Sequence, residues 1–256
     1  MARYQLTLSY DGTDFFGSQR QVNPRTVQGE LEDALRKLGW TGRSILISGR
    51  TDTGVHATGQ VVSFDLDWSH TDSDLIRALN ASLPADMAVR NARVVDEKFH
   101  PRFDATSRRY KYRLFCQPLR DPIRERFAWR VWPELNVDDL AYSAKLFLGT
   151  HDFSAFGSPT TPRGTTVRTV IKAEWTRAER DEWQFEVQAD AFLYRMVRRL
   201  VFVQVAVAQG KLSAEIIARS LAEQVPAGKR SGLSSGLAPA HGLTLVEVTY
   251  NESIGQ

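Results

Sequence analysis

Residues 49–60, GRTDTGVHATGQ, gather the side chains best suited to chemistry. Asp52 has Arg50 just before it and His56 one helical turn's distance after it. A neighbouring arginine favours the anionic form of a carboxylate, and such a carboxylate serves as a nucleophile, a base or an electrostatic stabiliser. Gly49, Gly54 and Gly59 let the backbone turn sharply or approach a ligand. Gly49 and Gly54 also match half of a phosphate-binding loop, but Val55 and His56 stand where its Lys and Ser/Thr belong. Nucleotide binding by that motif is therefore excluded. On residue types alone, the better reading of Asp52 is a turn aspartate bonding its own backbone. His56 reads as a loop histidine holding its backbone. A Ser-His-Asp arrangement with Ser48 or Ser63 lacks a nucleophile-elbow context.

Two further segments carry candidates. In ATSRRYKYRLFC, strand alternation puts Arg109, Lys111 and Arg113 on one face and Tyr110, Tyr112 and Leu114 on the other. Tyr110 is then either a core aromatic with a satisfied hydroxyl or a platform on which a base stacks. Pattern alone favours the core. In DAFLYRMVRRLVFVQVA, a helical wheel buries Leu193, Met196, Val197 and Leu200. Arg195 and Arg199 point away, and Arg198 falls at the edge of the stripe, where its stem can lie on the core and its head turn towards a site. Periodicity does not choose among the three arginines.

The elements that must position these residues alternate along the chain. YQLTLSYDG reads as a strand ending in a turn at Asp11-Gly12. Thr26 caps a helix bearing Val27, Leu31, Ala34, Leu35 and Leu38, stopped by Gly39. Residues 44–48 and 60–67 read as strands, joined by a loop over 49–59. Thr71 and Asp74 have capping-box spacing for a second helix, and Met87 to Val95 is a strand. FHPRFDATS then crosses into a second half. That half has strands at 108–116, 167–177, 182–190 and 243–250, and helices at 136–148, 192–209 and 213–224. A loop spans Ala227 to Gly242. The expected architecture is α+β, with a mixed, largely antiparallel sheet, helices packed against it and two similar halves, 1–103 and 104–256.

Composition limits the function classes. The 256 residues are 42% hydrophobic and 25% charged, as in ordinary globular proteins. The net charge of +3 says little, but basic residues cluster in SRRYKYR and YRMVRR, and a local basic surface attracts phosphate. Cys116 is the one cysteine, so no intrachain disulfide forms, and no Cys/His set has zinc-site spacing. No bound metal or cofactor is expected. The N-terminus lacks a long apolar signal core, and the apolar run at 200–208 is too short to span a bilayer. A cytoplasmic protein without membrane contact is expected.

These segments, taken in order, resemble the TruA family of tRNA pseudouridine synthases. YDGTDFFGSQ, RTVQGELEDAL, GRTDTGVHATGQVVSF, FHPRFDATSRRYKY, HDFSAF, DAFLYRMVR and GLTLVEVTY cover nearly the whole chain. The resemblance implies the pseudouridine synthase fold and isomerisation of uridine at positions 38, 39 and 40 of the tRNA anticodon arm, by a homodimer and without a cofactor. It implies that Asp52 is the catalytic aspartate and that Arg50 helps to displace the target nucleotide. It further implies that Tyr110 packs on the uracil, that Arg198 pairs with the aspartate, and that the strand holding Leu243 and Leu245 lines the site. The chain departs from the family pattern at Ser18 (usually Trp), Thr53 (often Ala), Gly157 (often Arg), Arg199 (usually Asn) and Phe202 (usually Gly). The rivals from other classes are a non-catalytic RNA-binding protein and a hydrolase using Asp52 with His56.

Overall fold

The computed structural model describes residues 1–161, 164–222, 233 and 236–251. In chain order the strands and helices are β1 (Ala2–Tyr10), α1 (Val27–Lys37), β2 (Leu46–Ile47), β3 (His56–Leu66), α2 (Asp72–Ser82), β4 (Met87–Val95), β5 (Ala105–Cys116), β6 (Trp129–Val131), α3 (Val137–Lys145), β7 (Gly149–Asp152), β8 (Val167–Arg177), β9 (Glu182–Ala189), α4 (Met196–Ala208), α5 (Glu215–Ala222) and β10 (Leu243–Tyr250). The chain divides into two compact units, Met1–Ser107 with Thr244–Gln256, and Arg108–Leu243.

In the first unit, β1 lies between β3 and β4, antiparallel to both. β2 pairs antiparallel with β3, and β10 runs parallel to it, with Leu245 opposite Ala57. Tyr4, Leu6, Leu8 and Tyr10 alternate along β1 and are all buried, as a half-covered strand requires. β3 is buried on both faces for most of its length, polar Gln60 and Ser63 included. The Thr26 hydroxyl accepts from Gly29 N–H at the start of α1, and Gly39 ends it with φ +87°. Both halves of the Thr71/Asp74 capping box are formed at α2.

In the second unit, β5 pairs with β9, β9 with β8, and β8 with β7, all antiparallel; β6 lies parallel to β5. α3 lies against α4 and β8. The Asn136 side chain caps α3 by accepting from Asp138 and Asp139 N–H. α4 is buried on nearly every face beyond its first turn, which fits a helix that is apolar there except for Gln204. The mixed, largely antiparallel α+β architecture is the expected one. No helix among the described residues is long and apolar enough to cross a membrane.

Several boundaries differ from the sequence reading. β3 starts at His56, so the loop before it is shorter than 49–59 and His56 is a strand residue. Backbone pairing of His56 and Ala57 with Thr244 and Leu245 of β10 starts the strand ahead of Gly59, and no local pattern reports that partner. The strand expected at 44–48 shrinks to Leu46–Ile47. The helix expected at 192–209 starts at Met196, because Tyr194 pairs with Ser158 and Arg195 is left-handed at φ 63°. The short strands β6 and β7 carry too few residues for a periodic signal. Residues 227–232, 234 and 235 of the expected loop, and Glu223 and Gln224 of the last expected helix, lie outside the described residues.

Paired carboxylates make stability acid-sensitive. Arg3 and Asp65 are register partners on β1 and β3, and the guanidinium grips both carboxylate oxygens at 2.8 and 2.9 Å. Arg25 holds Asp86 in the same fashion at 2.7 and 2.8 Å, and Arg124 holds Asp181 at 2.9 and 3.1 Å. Hydrogen bonding to these arginines keeps all three carboxyls below the usual range. A depressed native value means that the unfolded chain takes up protons first as pH falls. The contribution is full above the ordinary Asp value of about 3.9 and is lost as pH drops through the native values. Urea unfolding measured from pH 6 downward should show stability declining below about pH 4. A flat profile across that range would contradict these pairings.

Candidate active site

The loop joining β2 to β3 carries Arg50 and Asp52. Arg50 is exposed and Asp52 half-buried. The residue between them, Thr51, is buried and fully engaged. Its N–H donates to Ser18 Oγ at 2.9 Å, its carbonyl accepts from Ser18 N–H at 3.1 Å, and its hydroxyl meets the Tyr10 hydroxyl at 2.9 Å. Gln60 Nε2 donates to Gly49 O at 2.9 Å and to Tyr10 Oη at 3.4 Å, and Ser48 Oγ donates to Gln60 Oε1 at 2.7 Å. Burial pushes the Tyr10 phenol up, against the opposing effect of its bonds to Thr51 and Gln60, so Tyr10 acts as a neutral hydroxyl.

Close backbone approach on the other side completes the loop. Val55 N–H donates to Asp52 O at 3.1 Å. Gly17 has φ +91°, and a Cβ there would stand 2.9 Å from Thr51 O; a Cβ on Gly12 would fall 2.0 Å from Val55 O. Both glycines are needed for residues 10–18 to lie against residues 49–55. His56 Nδ1 accepts from Gly12 N–H at 2.9 Å and lies 3.1 Å from Asp11 Oδ1. His56 is thus a buried strand residue that tethers the backbone of the Gly12 segment, where the sequence suggested a loop histidine holding its own backbone. Leu245, fully buried on β10, lies opposite Ala57. In the first unit, Arg50 and Asp52 thus lie in the loop that leads into β3, and Leu245 pairs beside the second residue of that strand.

Tyr110 and Arg198 belong to the second unit. Tyr110 is 9% exposed and stands opposite Val187 on β9. Phe192 meets its ring edge-on, with centroids 5.1 Å apart, an arrangement favoured by the ring quadrupoles. Arg198 is half-buried on the first turn of α4, and its Nε donates to Ala238 O at 2.8 Å. Tyr112, next on the buried face of β5, is fully buried and donates to Pro239 O at 2.9 Å.

The opposite face of β5 changes the reading of its basic residues. Arg109 and Lys111 approach Glu186 at 3.4 and 3.5 Å, and Arg113 binds Glu182 at 2.7 Å. Burial alone would raise the Glu186 carboxyl, but hydrogen bonds from Lys172 and Arg109 hold it below its usual value. Much of the charge of this strand is thus answered by β9. The register that opposes Lys111 to Glu186 is invisible in the β5 sequence. Arg195 is exposed, with its guanidinium over the Tyr194 ring at 4.7 Å.

Two departures from the family pattern have local explanations. A Cβ on Gly157 would come within 2.7 Å of Leu193 Cβ and 2.8 Å of Tyr194 O, so the bare glycine admits the segment that bends before α4. Phe202 places its ring where a Cβ on Gly236 would be 2.0 Å away, so the two residues fit one another. Phe192 and Ser18 were not singled out as site residues by sequence reasoning, and no spacing signal links them to Tyr110 or Thr51.

The sequence matches the tRNA pseudouridine synthase family over residues 7–104 and 143–251. It is similar to tRNA pseudouridine synthase A of Shouchella clausii, 39% identical over 255 residues that span 99% of this chain and 95% of that protein. The counterpart in Chloroflexus aurantiacus is 40% identical over 256 residues, 98% of this chain and 89% of that protein. That of Bacillus subtilis is 38% identical over 251 residues, 97% and 99%. Among solved structures, a Cbf5-Nop10-Gar1 complex is similar with a TM-score of 0.39 and 12% identity, covering 96% of this chain and 50% of that chain.

Proposed function

The chain belongs to the tRNA pseudouridine synthase family and is an isomerase that makes pseudouridine in tRNA; from that premise we propose that it acts on uridines 38, 39 and 40 of the anticodon arm, with Asp52 as the reacting carboxylate. The observation that carries the assignment of Asp52 is the construction around it: a half-buried carboxylate next to a residue whose polar groups are all engaged. In the reaction the N1–C1′ bond breaks, the uracil turns, and C5 bonds to C1′ while a proton leaves C5 and one is gained at N1. Atoms and electrons balance without an outside reagent. A carboxylate serves such a reaction as a nucleophile or by stabilising positive charge on the sugar.

The target base must leave its stack at a cost of a few kcal/mol, and stacking on Tyr110 returns about 1–3 kcal/mol of it. Arg50 contributes to displacing the nucleotide, Arg198 supplies positive charge to the carboxylate, and Leu245 gives the site an apolar wall. The family resemblance supports a homodimer. The lone Cys116 supports a reducing, cytoplasmic setting. Incubating the full chain with an unmodified tRNA transcript and mapping pseudouridine chemically tests the proposal. Conversion at 38, 39 and 40 is expected. Conversion confined to sites outside the anticodon arm would overturn the site assignment and leave the isomerase in place.

A further inference from the structure

Thr51 directly precedes Asp52, and its polar groups are held by residues distant in sequence. Its hydroxyl, N–H and carbonyl are bound by Tyr10 and Ser18, which lie on the opposite side of a long sequence separation. Tyr10, Ser18 and Thr51 are each less than a tenth exposed, so water does not substitute for a lost partner. The Tyr10 oxygen accepts from Gln60 at 3.4 Å and shares a hydrogen bond with the Thr51 hydroxyl at 2.9 Å. The chain of bonds thus runs from the middle of β3 through the end of β1 into the loop. Gly54, at φ +78°, makes the far side of the loop a turn, with Gly54 N–H reaching Phe15 O at 3.4 Å.

We propose that Tyr10 and Ser18 are positioning residues for the isomerisation, acting through Thr51 to fix the direction in which the Asp52 side chain leaves the loop. The proposal rests on the reading of Asp52 as the reacting carboxylate. Between β2 and β3 the loop has no ladder of its own to set its backbone, so pinning all the polar groups of the preceding residue sets the Asp52 Cα–Cβ direction. A misplacement of about 1 Å costs a reaction about 100-fold. Both hydroxyls are buried and bonded within the protein, so their loss should leave substrate binding at its native strength.

The test compares Tyr10→Phe, Ser18→Ala, Thr51→Val and Thr51→Ser in the full chain, with kcat and KM for a tRNA transcript and the thermal midpoint measured for each. Tyr10→Phe, Ser18→Ala and Thr51→Val should lower kcat by roughly 10- to 100-fold with KM at its native value. Thr51→Ser keeps the hydroxyl and should restore kcat relative to Thr51→Val. A lowered thermal midpoint with native kcat in all of these variants would overturn the proposal, because the network would then only stabilise the fold. A raised KM with native kcat would overturn it too. If one variant fails to fold, the Thr51→Val and Thr51→Ser pair decides, since the two differ little in bulk. Asp52→Asn measured in parallel separates the two claims: native activity there would sink the reading of Asp52 itself, whereas an inactive Asp52→Asn beside fully active network variants would sink this inference alone.

Discussion

Asp52→Asn should lower the rate of pseudouridine formation by at least about 10⁴-fold, the scale at which loss of a reacting side chain is felt, while tRNA affinity stays native or rises. The substitution keeps shape and removes only the anion. An amide neither attacks a sugar or base carbon nor stabilises developing positive charge, so every role open to the carboxylate is lost at once. Affinity behaves differently, because an anion facing a phosphate backbone repels it. Single-turnover conversion of a tRNA transcript measures the first quantity, and filter binding under the same salt conditions measures the second. A non-catalytic RNA-binding protein would show no conversion with either Asp or Asn. A hydrolase using Asp52 with His56 would release free uracil, but His56 Nδ1 accepts from Gly12 N–H and its ring is buried, which fits a tether and not a base. Native conversion by Asp52→Asn would refute the assignment.

Arg198→Met should lower kcat by about 10²–10³-fold, in the range found when one preorganised charged or hydrogen-bonding partner of a developing charge is removed. Methionine keeps an unbranched apolar side chain at this position of α4 and deletes the guanidinium. The Nε–H that Ala238 O accepts at 2.8 Å orients the planar head, so Arg198→Lys, which keeps the charge without the fork, should recover only part of the activity. The comparison of the two variants is the measurement that matters. Equal loss in both would assign the effect to geometry, and full recovery by lysine would assign it to charge alone. Native kcat in Arg198→Met would remove this residue from the site.

The family and its motif order were legible because each signature is a short local pattern: GRTDTGVHATGQ, SRRYKYR and DAFLYRMVR carry their spacing within themselves. Capping was legible for the same reason. Thr26, Thr71 and Asn136 each bond to backbone two or three residues onward, so residue type and offset suffice. The α+β class followed from alternating periodicities. The start of β3 was not legible, since its first residues pair with β10 from the far end of the chain. Nor was the true start of α4. The wheel placed Arg195 on the helix, but a bridge from Tyr194 to Ser158 and a left-handed Arg195 end the run before it.

By itself, then, the sequence determined which carboxylate to examine, which family pattern surrounds it and which elements carry its neighbours. Only the tertiary structure decided what holds the loop that carries it. On residue types, Asp52 was a better turn residue than a site residue. Its loop is set apart from a purely local turn because Tyr10, Ser18 and Gln60, distant along the chain, converge on Thr51 and Gly49. It was also the tertiary structure that matched Glu182 and Glu186 to the basic residues of β5 and set Phe192 against Tyr110. The physical reason is common to all three. Hydrogen bonds, ion pairs and ring contacts reach only a few ångströms, and which distant groups fall within that reach is fixed by strand register and backbone approach, not by sequence spacing.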